Sequence, residues 1–249
     1  MQTAIISDIH ANLEALEVVL GHIRAKMIRR VVCLGDIIGY GPNPRECIEL
    51  LMDVPISLMG NHEEAVMFYG EDFNPKAREA IEWTKDQLNS PDHDRTRNYE
   101  LWNFLGNMKE FVEEGDVYYV HASPRQPTKE YVVPQDCRNR EKMDGIFAMV
   151  KRVCFLGHSH IPGIYTEDYK FGRPDKIGMQ YRLREKKVLV NTGSVGQPRD
   201  GDPRASYVTF DGTTVKFHRL EYDIEKTVAK IHAAEGLPNF LADRLRVGR

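Results

Sequence analysis

Five short apolar runs punctuate the first two thirds of the chain: TAIIS (3–7), RVVCLG (30–35), ISLMG (56–60), VYYV (117–120) and RVCFLG (152–157). Their length and β-branched content predict strands. Between the first two lies NLEALEVVLGHIRAKM, with Asn12 as N-cap and Leu13, Leu16, Leu20, Ile23 and Met27 recurring every three or four residues, the pattern of a helix with one core-facing side. Strands alternating with such helices predict α/β layering. Residues 63–105 differ: PKAREAIEWTKDQL and NYELWNFL are helical patterns separated by SPDHD, with no strand pattern. They predict a helical insertion or cap, whose Ile81, Trp83 and Leu88 pack on the core.

After His160 the pattern turns to hairpins. VTFDGTTVKFHRL reverses at Asp211-Gly212, and REKKVLVN is a further β run, so the second half predicts antiparallel pairing. DIEKTVAKIHAAEG then predicts a C-terminal helix closed by Gly236 and followed by Pro238. No repeat, heptad or Gly/Ser linker appears, which favours one domain over residues 1–249 with an insertion at 63–105.

Composition narrows the function classes. Apolar residues make up 41% of 249 residues and charged residues 29%, a globular balance that excludes a disordered or fibrous chain. The net charge of −3 supplies no basic field for stable nucleic-acid binding. Cys33, Cys47, Cys137 and Cys154 form no CxxC pair and suit reduced thiols. The opening MQTAIISDIH lacks a basic leader and no run approaches 18 apolar residues. A cytoplasmic protein without membrane association is expected.

The candidate chemistry lies at the ends of the five runs. Asp8 and His10 follow the first, Asp36 the second, Asn61 and His62 the third, His121 the fourth, and His158 and His160 the fifth. Polar groups just past the carboxyl ends of strands in α/β sheets meet in a common crevice. In extended chain, residues i and i+2 share a side, which pairs Asp8 with His10 and His158 with His160. Asn61 and His62 are neighbours and should diverge, so one can bind a metal while the other points elsewhere. Imidazole, carboxylate and amide without thiolate suit Mn, Fe, Zn or Ni. Gly precedes the ligand in three of the runs, permitting close backbone approach.

In order, SDIH, LGDIIG, GNHE, VHAS and LGHSH resemble the motif series of calcineurin-like metallophosphoesterases over residues 1–160. NTGSVGQPRDGDPRASY with the C-terminal helix looks like the bacterial branch related to diadenosine tetraphosphatases and serine/threonine phosphatases. The resemblance implies a four-layer αββα sandwich of two mixed sheets. It implies two divalent or mixed-valence transition metal ions, one on Asp8, His10, Asp36 and His160, the other on Asp36, Asn61, His121 and His158. Asp36 bridges them, and His62 protonates the leaving oxygen. The implied partner is a small phosphorylated substrate, nucleotides included: a mono- or diester or a dinucleoside polyphosphate.

Two departures qualify this. Where phosphoprotein phosphatases follow the GD motif with an Asp and an Arg, residues 37–41 read IIGYG, which disfavours that alternative; the usual NPGS reads NTGS at 191–194. Phosphate binding also calls for a guanidinium, with Arg125 and Arg199 as candidates and Asn74 and Arg78 as residues that an insertion folded over the site would deliver. The competing reading from another class is a non-catalytic metal-binding scaffold of the same fold; occupied ligand positions and His62 favour an enzyme.

Overall fold

The computed structural model describes residues 2–68 and 73–249. Its strands are β1 Thr3–Ile6, β2 Arg30–Cys33, β3 Ile56–Ser57, β4 Phe111–Glu114, β5 Val117–Val120, β6 Val153–Leu156, β7 Gly163–Thr166, β8 Lys170–Gly172, β9 Gln180–Arg182, β10 Val188–Asn191, β11 Ala205–Phe210 and β12 Thr214–Leu220. The helices are α1 Leu13–Ala25, α2 Pro44–Leu51, α3 Asn61–Met67, α4 Pro75–Leu88, α5 Arg95–Gly106, α6 Arg140–Ala148, α7 Ile224–Ala233 and α8 Phe240–Val247.

The strands form two six-stranded sheets, β3-β2-β1-β11-β12-β9 and β4-β5-β6-β10-β7-β8. Both are mixed. β1, β2 and β3 run parallel, as do β5, β6 and β10, and the remaining pairs are antiparallel. The sheets pack face to face through Ile5, Val32, Phe155, Val190, Val208 and Phe210. On the outer face of the first, Ala4, Ile6 and Cys33 meet Leu16, Val19 and Ile23 of α1 and Ile48 of α2. On the outer face of the second, Tyr118, Cys154 and Leu189 meet Met143, Ile146 and Phe147 of α6. This is the four-layer αββα sandwich. Alternate residues of a central strand face the sheet interface and the helices, so both sets are apolar and the strands read as continuous apolar runs.

Asn12 caps α1, its Oδ1 accepting from Ala15 N at 3.2 Å. The helix stops at Ala25, and Met27, expected on the buried face, is 85% exposed with a φ of 55°. α4 occupies the expected PKAREAIEWTKDQL, while α5 starts three residues before NYELWNFL, capped by Asp94. Ile81 and Leu88 join the core of the first sheet's helical layer, where α4 packs on α2 and α3, and Trp83 packs against α7 and α8 instead. The hairpin at Asp211-Gly212 forms, with Phe210 opposite Val215. Only Val188–Asn191 of REKKVLVN becomes strand, and α7 ends at Ala233, short of Gly236. α2, α6, α8 and the short strands β7, β8 and β9 carry no pattern recognised in the sequence.

Candidate metal centre

β1, β2 and β3 of one sheet and β5 and β6 of the other release their chains at one edge of the sandwich, and each loop carries acidic, amide or imidazole groups. The convergence does not come from strand alternation. Asp8, His10, Asp36, His158 and His160 all have φ between 49° and 63°, the left-handed region that non-glycine residues rarely enter and that costs about 1–3 kcal/mol each. The chain turns sharply after each strand, and main-chain bonds hold the turns: Asp8 N donates to Gly35 O (3.0 Å), His10 N to Asp36 O (2.9 Å) and Ala11 N to Ile37 O (2.8 Å).

Three glycines before ligand-type residues are sterically required, and a Cβ at Gly35 would lie 2.6 Å from Gly60 N. A Cβ at Gly60 would lie 2.1 Å from Asp36 Oδ1, and one at Gly157 would lie 2.1 Å from Ser7 Oγ and 2.4 Å from Asp8 Oδ2. Sequence reasoning missed the role of Glu63. Its buried carboxylate accepts from the amides of Asp36 (2.8 Å), Ile37 (2.8 Å), Ile38 (3.2 Å) and Gly60 (2.9 Å), splicing the β2 and β3 loops together and making no bond to the His62 imidazole. The NTGS loop does the same for β1 and β6. Asn191 Nδ2 donates to Gly157 O (2.7 Å) and Ser194 Oγ to Asp8 O (2.7 Å).

Two groups of ligand-type atoms result, Asp8, His10, Asp36 and His160 in one and Asp36, His121 and His158 in the other; within each, the atoms lie within 4.8 Å of one another. Asp36 belongs to both. All six residues are buried. His10 Nε2 lies 3.1 Å from His160 Nε2, which is 3.1 Å from Asp8 Oδ1. His121 Nε2 lies 3.4 Å from Asp36 Oδ2, 3.1 Å from His158 Nδ1 and 3.2 Å from Asn61 Oδ1. The outer ring nitrogens of three histidines face carbonyls: His10 Nδ1 to Ile38 O (3.3 Å), His160 Nδ1 to Gln197 O (2.5 Å) and His158 Nε2 to Lys129 O (3.2 Å). An N–H donated outward leaves a lone pair aimed into the cluster, the tautomer a metal-binding imidazole adopts. Clustered nitrogens facing one another in a buried space, without enough protons to satisfy them all, fit a site built for cations.

The charges agree with this. Burial opposes ionisation of Asp36, but His121 and His62 outweigh it and hold the carboxyl well below its ordinary range. Burial also opposes protonation of His121, yet Asp36 and Asp8 lift it to about 9. Burial draws His158 down to about 3 and His10 well below its usual value, the latter with help from His62.

Asn61 and His62 open α3, and both line a cavity of about 340 Å³ shared with Asp36, Tyr40, Phe73, Tyr131, His158, His160 and Arg199. Asn61 faces His121; the His62 ring lies edge-on to Tyr40, His10 and Phe73 at 4.4, 4.8 and 5.0 Å. Burial draws His62 down to about 4. Arg199 reaches the cavity over the Tyr40 ring, its Nη2 donating to Gln197 Oε1 at 2.8 Å. Arg125 does not. It is drawn to Glu130, donating through Nε at 3.1 Å and also through Nη2, and is not among the cavity residues. Of the insertion candidates, Asn74 lines the cavity and caps α4 through Oδ1 (3.0 Å from Ala77 N), whereas Arg78 does not line it. Tyr40, Phe73 and Tyr131 escaped sequence reasoning because aromatics outside a strand pattern carry no chemical signature. Tyr131 stacks on His158 with centroids 3.8 Å apart.

Comparison with known proteins agrees with this picture. The model of the calcineurin-like phosphoesterase superfamily domain matches residues 1–214. An uncharacterised protein of Methanocaldococcus jannaschii is 40% identical over 258 residues, covering 99% of this chain and 98% of its own. The crystal structure of a metallophosphoesterase from Sphaerobacter thermophilus superposes with a TM-score of 0.84 at 39% identity, covering 100% of this chain and 99% of that one. A protein of Pyrococcus horikoshii shares the fold at 18% identity, with a TM-score of 0.77 over 100% of this chain and 98% of its own. No helix among the described residues is long and apolar enough to cross a membrane.

Proposed function

The chain belongs to the calcineurin-like phosphoesterase superfamily, and from that premise we propose that it is a dinuclear metal-dependent hydrolase of small phosphate esters or dinucleoside polyphosphates. The observation that carries the proposal is the pair of buried ligand groups sharing Asp36. Asp8, His10, Asp36 and His160 would hold one transition metal ion and Asp36, Asn61, His121 and His158 the other, with Mn, Fe, Zn or Ni suited to these donors. When bound, two such ions supply a water nucleophile at neutral pH and neutralise charge on the phosphoryl oxygens.

The remaining work falls to the chain's own side chains. Arg199, fixed by Gln197 and the Tyr40 face, meets the phosphate with a guanidinium suited to paired oxygens. His62 stands where a leaving oxygen would depart. Burial draws its imidazole down to about 4, and the nearby negative charge of a bound phosphate would favour the protonated form. Tyr40 and Phe73 hold the ring in place and exclude water from that side. α3 to α5, with Phe73 and Asn74 at the cavity wall, shape substrate access as an insertion within a single domain.

Metal analysis tests the core of this. Protein saturated with Mn should carry two ions per chain, Asp36→Ala should lose both, and His10→Ala should mainly loosen one. A wild type that binds a single ion, or equal single-ion losses in the two variants, would overturn the dinuclear reading. A panel of Ap4A, phosphopeptide, 2′,3′-cyclic AMP and bis-p-nitrophenyl phosphate then sorts the substrate class.

A further inference from the structure

The cavity at the metal centre is larger than a phosphate group needs. Its volume of about 340 Å³ falls in the range of about 300–1,000 Å³ found for pockets that enclose a whole small molecule. Ala65 of α3 and Ala77 of α4, both buried, contribute only methyl groups to its wall, which keeps that space open. Among the other wall residues, Glu64 and Tyr131 have no part in holding a metal or meeting a phosphate.

Tyr131 is a ring held out on a fixed backbone. It stacks on His158 with centroids 3.8 Å apart and an interplanar angle of 27°, yet the residue is 47% exposed. Its main chain is pinned: Lys142 Nζ donates to Tyr131 O at 2.6 Å, the preceding Glu130 accepts from Arg125 Nε at 3.1 Å, and the following Val132 is buried. A ring that only supported His158 would gain from burying its open half as well. Held open at the cavity wall, it offers a preformed surface on which a planar group can stack.

Glu64 is the second signal. A carboxylate on the wall of a cavity that takes phosphate repels the phosphate, so it suits a part of the substrate that donates hydrogen bonds. Thr128 Oγ1 donates to Glu64 Oε2 at 2.7 Å, and Lys129 Nζ, also on the cavity wall, stands 3.9 Å from Oε1, beyond hydrogen-bond reach. An ionised carboxylate has about four lone-pair sites, so Glu64 retains acceptors for hydroxyl groups. Carboxylates hold ribose in this way in dinucleotide sites.

A planar group and a set of hydroxyl donors joined to one phosphate describe a nucleotide. We propose that Tyr131 and Glu64 form a nucleoside pocket, Tyr131 stacking on the base and Glu64 accepting from the sugar hydroxyls, so that nucleoside phosphates are preferred over phosphopeptides and simple alkyl esters. The proposal rests on the phosphoesterase reading above and names the substrate class of that same site.

Calorimetry on Mn-loaded protein tests this with three ligands that cannot be hydrolysed: the phosphonate analogues of AMP and of ribose 5-phosphate, and methylphosphonate. Stacking of a base on an aromatic side chain is worth about tenfold in affinity, so wild type should bind the AMP analogue tighter than the ribose analogue by about that factor. Tyr131→Phe should keep the ratio and Tyr131→Leu should lose most of it. Glu64→Gln should weaken the AMP and ribose analogues alike and leave methylphosphonate binding as it was. Equal wild-type affinity for the AMP and ribose analogues, or a ratio that survives in Tyr131→Leu, would overturn the stacking. Weakening of all three ligands by Glu64→Gln would overturn the sugar contact. Because Tyr131 also supports His158, Tyr131→Leu can lose Mn; the wild-type ratio and the Glu64→Gln comparison then decide without it. The outcome is separable from the phosphoesterase reading. Selective binding of the AMP analogue by a protein that hydrolyses no ester keeps the pocket and rejects that reading, whereas hydrolysis with equal binding of the AMP and ribose analogues does the reverse.

Discussion

His62 shows how much the surroundings of one residue decide. A Cβ on Gly39 would lie 2.1 Å from His62 Nδ1, so the ring is seated against that loop, and Nδ1 is buried without a hydrogen-bond partner. General acid catalysis contributes about 10² to 10⁴ in rate, and only where the leaving group needs the proton. A sugar or serine alkoxide needs it; p-nitrophenolate does not. His62→Asn is therefore expected to keep both metals, lose activity severely on alkyl phosphates or nucleotides, and lose far less on p-nitrophenyl esters. Equal losses on both, with metal content intact, would assign His62 to charge stabilisation and make another group or water the acid. The identities of the clustered residues are legible in the sequence because Asp and His after an apolar run are chemically conspicuous. Their geometry is not, since it depends on left-handed turns at Asp8, His10, Asp36, His158 and His160 that i and i+2 alternation does not describe. Glu63 is illegible for a related reason: three of its four partners are main-chain amides 25 to 27 residues away.

At the scale of elements, periodicity serves long helices and fails short pieces. α4 and α7 announce themselves by apolar spacing and an Asn or Asp cap, whereas β8 and β9 are three residues each and form only because neighbouring strands supply their ladders. Two predictions belong here. Phe73 and Asn74, between α3 and α4, line the cavity, so Asn74→Ala should change KM and the substrate profile; because Asn74 also caps α4, the comparison is Asn74→Asp, which keeps the cap. If neither variant moves the profile, the insertion does not shape access. The second concerns β12. His218 stacks on Tyr207 with centroids 4.6 Å apart, lies 3.0 Å from Thr209 Oγ1 and faces His22 of α1; burial draws it down to about 4, with Lys26, His22 and Lys216 adding to the effect. The unfolded chain takes a proton near pH 6.5 and the folded one does not, so the stability this residue contributes is present above that pH and is lost as pH falls from about 6.5 to about 4. Urea titrations at pH 7.5 and pH 5 should show the folded state weakened at the lower pH, and His218→Gln should flatten that difference. An unchanged difference would place the acid sensitivity elsewhere, at the buried histidines of the metal cluster.

For the whole molecule, the cluster is a joint between the two sheets. Asp8 and Asp36 leave the first sheet; His121, His158 and His160 leave the second, and His158 N donates to both Asp8 oxygens at 3.1 Å. The layering is legible because both faces of the central strands are apolar, and the joint is legible as a shared crevice at strand ends. How tightly it closes is not, because Gly60, Gly157 and the NTGS loop act through contacts distant in sequence. Two carboxylates and four imidazoles crowd this joint. A ligand that binds only the folded state stabilises it by about 2.7 kcal/mol at a hundredfold excess over its Kd. For a chain of this size each kcal/mol moves Tm by roughly 2–4 °C, so two ions bridging the sheets should raise Tm by about 5–10 °C or more. Protein stripped with chelator and refilled with Mn should show that rise by calorimetry, and Asp36→Asn, which removes the shared ligand, should abolish most of it. His22 and His218 are not among the cluster's residues, and replacing either should leave the increment intact. A rise that survives in Asp36→Asn would mean that the ions stabilise some other part of the molecule and do not tie the two sheets together.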